Sequence, residues 1–305
     1  MSHVFKDLYQ SVTDQIVAAL EAGTPPWVCP WSRSPVEALP ANLATARPYR
    51  GINTILLNMQ TLSHGYARNR WLTFQQARAL GAHVRSGETG TGIVFFKMLE
   101  RDADSGRPAA NDEPARRVIP LLRSFTVFNA AQVDDLPVGL AAVPEPDAAW
   151  SPIEAAEALL ARSEAVIRHG GDRAFYRPGD DVIQLPLRSV FPEASRYYNV
   201  ALHELTHSTG HPSRCNRQLQ GRQHIEAYAF EELVAELGSA LLSASCGLPS
   251  ELQHATYIET WLHALKNDKR LIFTAASQAQ KAADYLLPPQ ATAPNPQASA
   301  IPALA

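Results

Sequence analysis

The five residues His203-Glu204-Leu205-Thr206-His207 restrict the possible folds of this chain more than any other feature of it. In a helix, residues i and i+4 lie on one face, so both imidazoles can reach one metal ion. Glu204 projects beside them without ligating, where it can take a proton from a water that the ion acidifies. Val200, Ala201, Leu202 and Leu205 make the surrounding helix apolar, which buries it against a core. Gly210 ends that helix and Pro212 prevents its return. The chain must therefore bury a helix over about residues 195–209 and face it with an element that completes the coordination.

Three segments offer a third ligand. His211 follows closely, but a three-histidine site would place its last ligand at position 213, which is Ser213. His224 lies in a stretch rich in Gly, Arg and Gln. The run from Tyr228 to Glu236 is apolar apart from its carboxylates, which are costly to bury unless paired or bound to a metal. Glu232 and Glu236 stand one turn apart on one face. The economical assignment makes Glu232 the ligand and has Glu236 hydrogen-bond a ligand histidine from behind, with Glu231 as the alternative ligand. The expected centre is thus His203, His207 and Glu232 around Zn²⁺, with Glu204 as the catalytic base. Mn²⁺ or Co²⁺ fit the same donors. Tyr228 or Tyr257 can assist at a developing oxyanion.

With 305 residues, 46% hydrophobic and 19% charged, the chain has enough apolar surface for a large core and is not of disordered composition. No stretch approaches the roughly 18 uninterrupted apolar residues of a membrane span. Met1 to Lys6 lack the pattern of a secretory signal, so the expectation is a cytoplasmic protein without membrane contact. Cys29, Cys215 and Cys246 are scattered and odd in number, which fits neither a disulfide framework nor a cysteine metal knuckle. Charge is uneven. Up to residue 130 there are 14 Lys+Arg against 10 Asp+Glu, a net of +4, and 13 against 20 beyond it, a net of −7. Two domains with different partners follow from that asymmetry.

The spacing predicts helices from Leu8 to Leu20, Ile52 to Leu62 and Phe74 to Leu80, the last with Thr73 as N-cap. Strands are expected at Ile93–Lys97 and Ser124–Asn129, with a polar loop at 101–117 between them. The Pro-bearing stretch 134–150 reads as a linker. Ser151-Pro152-Ile153-Glu154 opens a helix expected to reach about His169. Short strands follow at Arg173–Tyr176 and Val182–Leu185, then helices at about 195–209, 227–245, 251–266 and 268–286. The Pro, Ala and Gln tail 288–305 is expected to be disordered. The fold class is α+β: a small first domain over 1–133, and a mostly helical second domain with a short sheet over 151–287.

Aromatic and basic residues interleave in the first domain: Trp27, Trp31, Tyr49, Arg50, Arg70, Trp71, Arg85 and Lys97, with Asn53 nearby. Bases of a single strand stack on aromatics while Arg and Lys hold phosphates. Core aromatics beside surface charge would give the same pattern. The segments Pro26-Trp27 to Pro30-Trp31, Tyr49-Arg50-Gly51-Ile52-Asn53, Asn69-Arg70-Trp71-Leu72-Thr73-Phe74 and Thr126-Val127-Phe128-Asn129 resemble those of ArdC-like antirestriction proteins. The His203–His207 run, Arg214 and the Tyr228–Glu236 run are similar too, so that the resemblance covers about residues 5–285. It implies an N-terminal domain that binds single-stranded DNA and a C-terminal zincin-like metallopeptidase domain, carried on plasmids and other mobile elements to protect incoming DNA from restriction. It places the metal on His203, His207 and a glutamate of the later helix. Two other functions fit the same residues: a coat for single strands with an inert zinc site, and a regulatory peptidase that cleaves a protein factor.

Overall fold

The computed structural model describes residues 7–29, 38–102, 116–141, 151–217, 225–252 and 255–288. Trp31, His224, most of the expected 101–117 loop, residues 142–150 of the linker and the tail from 289 lie outside the described residues.

The first part of the chain is built on helices α1 (Leu8–Glu21), α2 (Ile52–Ser63) and α3 (Phe74–Ala79). Asp7 caps α1 by accepting from the backbone N–H groups of Tyr9 and Gln10. Thr73 and Gln76 form a reciprocal capping box on α3. A four-stranded sheet runs in the order β1-β2-β5-β4, with β1 at Ala41–Asn42, β2 at Arg70–Leu72, β4 at Thr91–Asp102 and β5 at Arg116–Asn129. The β4/β5 pair is antiparallel from Thr91↔Val127 to Asp102↔Arg116. Both strands therefore run well past the lengths read from the sequence and take in the ends of the expected loop. Strand β3 (His83–Val84) pairs with β6 (Val133–Asp134), so the expected linker begins inside a strand. A single helical turn, α4 (Val138–Ala141), follows.

The second part opens with α5 (Pro152–Leu160), capped by Ser151, whose hydroxyl accepts from the Glu154 N–H. The helix expected to reach His169 stops nine residues short of it, and Val166–His169 is a strand, β7. The β-branched pair Val166 and Ile167 aligns in parallel with Val182 and Ile183 of β9 (Val182–Leu185), and this non-local ladder overrides the helical run. Strand β8 (Phe175–Arg177) pairs antiparallel on the other side, which gives the order β7-β9-β8. Four helices complete the fold: α6 (Ala194–Ser208), α7 (Ile225–Cys246), α8 (Ile258–Asn267) and α9 (Leu271–Leu286).

The two parts share a core. Val12, Ile16 and Leu20 of α1 and Ile52, Ile55 and Leu56 of α2 pack in one cluster with Leu233 and Leu237 of α7, Trp261 of α8 and Ile272 of α9. Backbone groups of Cys29 and Ser250 bond across the same boundary at 2.7 Å, and Gln280 accepts from the Gly51 N–H at 3.1 Å. A second cluster joins α5, β9, α6 and α7 through Leu159, Ile183, Leu202, Leu205 and Leu242.

Helices α6 and α7 approach closely because α7 presents small residues to α6. The Ser243 hydroxyl donates to Asn199 Oδ1 at 2.8 Å, and that of Ser239 to the Asn199 carbonyl at 3.2 Å. A Cβ on Gly238 would stand 2.4 Å from Thr206 Cγ2. Thr206 is fully buried and its hydroxyl is tied to the Leu202 carbonyl, so it has nowhere to turn. At an open helical site alanine would gain about 0.8–1.0 kcal/mol over glycine. Overpacking, at about 1–3 kcal/mol, outweighs that here. Gly238→Ala is expected to lower the melting temperature by a few degrees. Gly139→Ala on α4, where an added Cβ meets nothing within 4 Å, is expected to leave it unchanged or raise it.

Candidate metal centre

The close α6/α7 contact brings three of the predicted residues to one point. His203 and His207 put their Nε2 atoms 3.1 Å apart. Glu232 places one carboxylate oxygen 3.4 Å from His203 Nε2 and the other 3.6 Å from His207 Nε2. Donors about 2.1 Å from a tetrahedral zinc stand about 3.4 Å from one another, so these separations are of the size a shared ion requires. One donor atom from each of these residues lies within 4.8 Å of the other two. His203 and Glu232 are 1% and 2% exposed, which supplies the dry wall such a centre needs. Glu204, next to His203 on α6, is 6% exposed.

Glu231, not Glu236, sits behind His207. Its carboxylate lies 3.2 Å from His207 Nδ1, leaving Nε2 to face Glu232 and His203. This is an orienting bond of the kind the sequence expects of Glu236, made to His207 by a residue five positions earlier on α7. Glu231 is held in turn by Arg217, whose Nε and Nη2 donate at 3.0 and 2.7 Å. Arg217 also donates to Thr209 Oγ1 at 2.7 Å and to the Thr206 carbonyl at 2.9 Å, so it closes the C-terminal end of α6. Sequence reading missed Arg217. A basic partner was nonetheless implied by two adjacent glutamates on a buried helix.

Burial works against charge at His207, Glu231 and Glu232, yet the partners win. It pushes the His207 pKa down, but the bonds to Glu231 and Glu232 raise it well above the usual imidazole range. For Glu232, burial is outweighed by His203 and His207, and the carboxyl is held well below its ordinary range. Glu231 is lowered likewise by His207 and Arg217. The pocket thus concentrates negative charge where two imidazole nitrogens converge, which is what a divalent cation requires.

The other candidates fall elsewhere. His211 bonds Ser213 in the turn after α6 and is not among the converging donors. Tyr228 and Tyr257 lie 5.7 Å apart, ring to ring, and Tyr257 packs against the shared core. All three cysteines are free thiols. Arg214, 3% exposed, forks onto Asp181, donates to the Ser208 carbonyl at 2.7 Å and so ties the β8–β9 turn to the end of α6.

The residues proposed for DNA separate sharply. Trp71 is fully buried, with its indole N–H on Asn69 Oδ1 at 2.8 Å. Trp27 is buried edge-on to Trp261 at 6.0 Å. Neither ring can stack on a base while the core stays closed. The Asn53 amide is spent on Val94, donating to its carbonyl at 2.7 Å and accepting its N–H at 2.9 Å. Tyr49 is half-buried and accepts from Asn42, Arg70 donates to the Leu39 and Asn69 carbonyls, and Arg85 is engaged by Glu88 and Asp134. Arg50 is half-exposed and pairs with Asp284 of α9. Lys97 lies on β4, with its side chain outside the described part.

An HExxH helix faced by a glutamate from the next helix is the arrangement of a zincin-like domain, and the model of the zincin-like metallopeptidase family matches residues 154–278. That of the N-terminal domain of anti-restriction factor ArdC matches residues 6–128. The chain belongs to the ArdC antirestriction family. The metal-free crystal structure of ArdC from plasmid R388 is 42% identical, with a TM-score of 0.75 over 92% of this chain and 96% of that one. The Mn(II)-bound structure gives 0.74 over 92% and 97%. An uncharacterized protein of Sinorhizobium fredii, y4eC, is 43% identical and matches over 92% of this chain and 91% of its own length. Two DNA primases TraC of Escherichia coli are 43% and 41% identical, but the chain spans only 28% and 20% of their lengths. Among the described residues no helix is long and apolar enough to cross a membrane.

Proposed function

We propose that this chain is an antirestriction protein of a mobile element that binds single-stranded DNA and carries a zinc-dependent peptidase centre. The His203–His207–Glu232 triangle is the observation that supports the centre, and the Mn(II)-bound ArdC structure supports a divalent ion. His203, His207 and Glu232 would hold the ion, which supplies a Lewis acid and an acidified water. Glu231 fixes the tautomer of His207, because its carboxylate can only accept at Nδ1. Glu204 is the group left to take a proton, and its oxygens receive no hydrogen bond from the described residues. The buried α6/α7 wall excludes bulk water on one side. The edge strands β7 and β8 offer backbone groups to an extended peptide on the other.

Full-length protein loaded with Zn²⁺ or Mn²⁺ is incubated with a proteome-derived peptide library, with and without single-stranded DNA. New termini are counted by mass spectrometry. Glu204→Gln is expected to retain its metal and lose activity by about 100-fold or more, the scale of a lost general base. Equal cleavage by wild type and Glu204→Gln overturns the peptidase assignment.

A further inference from the structure

A cleft of about 680 Å³ lies between the two parts of the chain, within the range of roughly 300–1,000 Å³ typical of ligand sites. One wall is the β4 strand with the N-terminus of α2, and the other is α9 with its N-cap Arg270, which together supply eight of the sixteen lining residues. Two successive phenylalanines of β4 are exposed, Phe95 at 53% and Phe96 at 46%, but side chains alternate along a strand and only Phe96 is on the α9 side. Phe96 stacks edge-on toward Phe273 of α9 at 6.5 Å, and Phe95 toward Phe125 of β5 at 6.1 Å. Solvent-facing aromatics beside an open cleft carry a hydrophobic cost that a ligand's faces would remove. The charged lining is Arg50, Arg270 and Lys281 against a single acid, Asp284.

We infer that a single strand of DNA runs through this cleft, with a base on Phe96 of β4 and phosphates on Arg270, the N-cap of α9, and on Lys281 of α9. This rests on the single-strand reading above and adds to it that the metallopeptidase part forms half of the groove. Lys281 and Asp284 lie beyond the last residue matched by either family model, so nothing in that likeness assigns them. Stacking on exposed aromatics with a basic rim is the physics of sequence-tolerant single-strand binding. Arg50 is tethered across the cleft to Asp284, so the acid both lowers the local potential and occupies a cation.

The test is fluorescence anisotropy of a short fluorescein-labelled oligo(dT) with full-length protein across a salt series. Phe96→Ala is expected to weaken binding at least about fivefold, the low end for one stacked base. Arg270→Ala with Lys281→Ala is expected to flatten the log–log salt slope by about 1.4, at about 0.7 per phosphate contact. Asp284→Asn, which removes the acid and releases Arg50, is expected to tighten binding, a gain that damaged folding would not produce. Arg177→Ala on β8 removes an exposed charge outside the cleft lining and is expected to bind as wild type. If wild type binds but the α9 variants keep its affinity and slope, the composite groove is overturned while the single-strand reading survives. Absence of wild-type binding at low salt overturns both.

Discussion

Glu232→Ala is expected to lose its divalent ion, while Glu231→Ala weakens binding by roughly 10–100-fold, the usual cost of removing a group that orients a ligand. The two carboxylates are neighbours on α7 and are buried alike, at 2% and 5% exposure, so burial does not tell them apart. Geometry does. Glu232 faces both Nε2 atoms, whereas Glu231 stands behind His207 and is neutralised by Arg217. Competition with a chromophoric chelator reads the affinities, and the shift in melting temperature on adding Zn²⁺ or Mn²⁺ gives a second measure. An ion at 1,000 times its dissociation constant stabilises by about 4.1 kcal/mol, a shift Glu232→Ala should not show. If Glu231→Ala loses more affinity than Glu232→Ala, the ligand assignment is reversed.

The candidate metal centre was legible in the sequence as a pattern because its period coincides with that of the helix. His203, Glu204 and His207 are fixed to one face by i, i+4 geometry alone, whatever surrounds them. The third ligand was legible only as one of three glutamates. Successive helix residues point about 100° apart, so the choice between Glu231 and Glu232 depends on the rotation of α7 against α6. That rotation is set by Gly238, Ser239 and Ser243, where small side chains let the two helices meet. Arg217 lies in the turn beyond α6, and no periodicity marks it.

The DNA face was less legible. Arg70-Trp71-Leu72 looks like an aromatic–basic strand, yet Trp71 and Leu72 are both fully buried, each in its own apolar cluster. The exposed aromatics of the first part include Phe74, Phe95, Phe96 and Phe125, and what puts Phe96 in a cleft is α9, more than 170 residues further on. Val166–His169 failed for the same reason: its strand character comes from β9, not from its own residues. Local pattern carries helices and caps well, and non-local pairing is where it gives out.

Arg217→Ala is expected to destabilise the protein by about 3–5 kcal/mol, the cost of removing one partner from a buried ion pair. The loss falls on Glu231, which keeps only His207, and on Thr206 and Thr209, whose acceptors at the end of α6 are left without their donor. At about 2–4 °C per kcal/mol, the melting temperature should fall by roughly 6–20 °C. Stability alone would not show that the pair serves the metal, so a double variant separates the two roles. Arg217→Met with Glu231→Leu replaces the pair by apolar side chains and is expected to recover most of the lost stability. It leaves His207 Nδ1 without its carboxylate, so metal affinity should stay roughly 10–100-fold below wild type. Arg217→Lys keeps the charge but not the planar fork that reaches Glu231, Thr206 and Thr209 together, and should fall between wild type and Arg217→Ala in melting temperature. A double variant with both full stability and full metal affinity would show that Glu231 and Arg217 only fill space, and that His207 is held by packing between α6 and α7 instead.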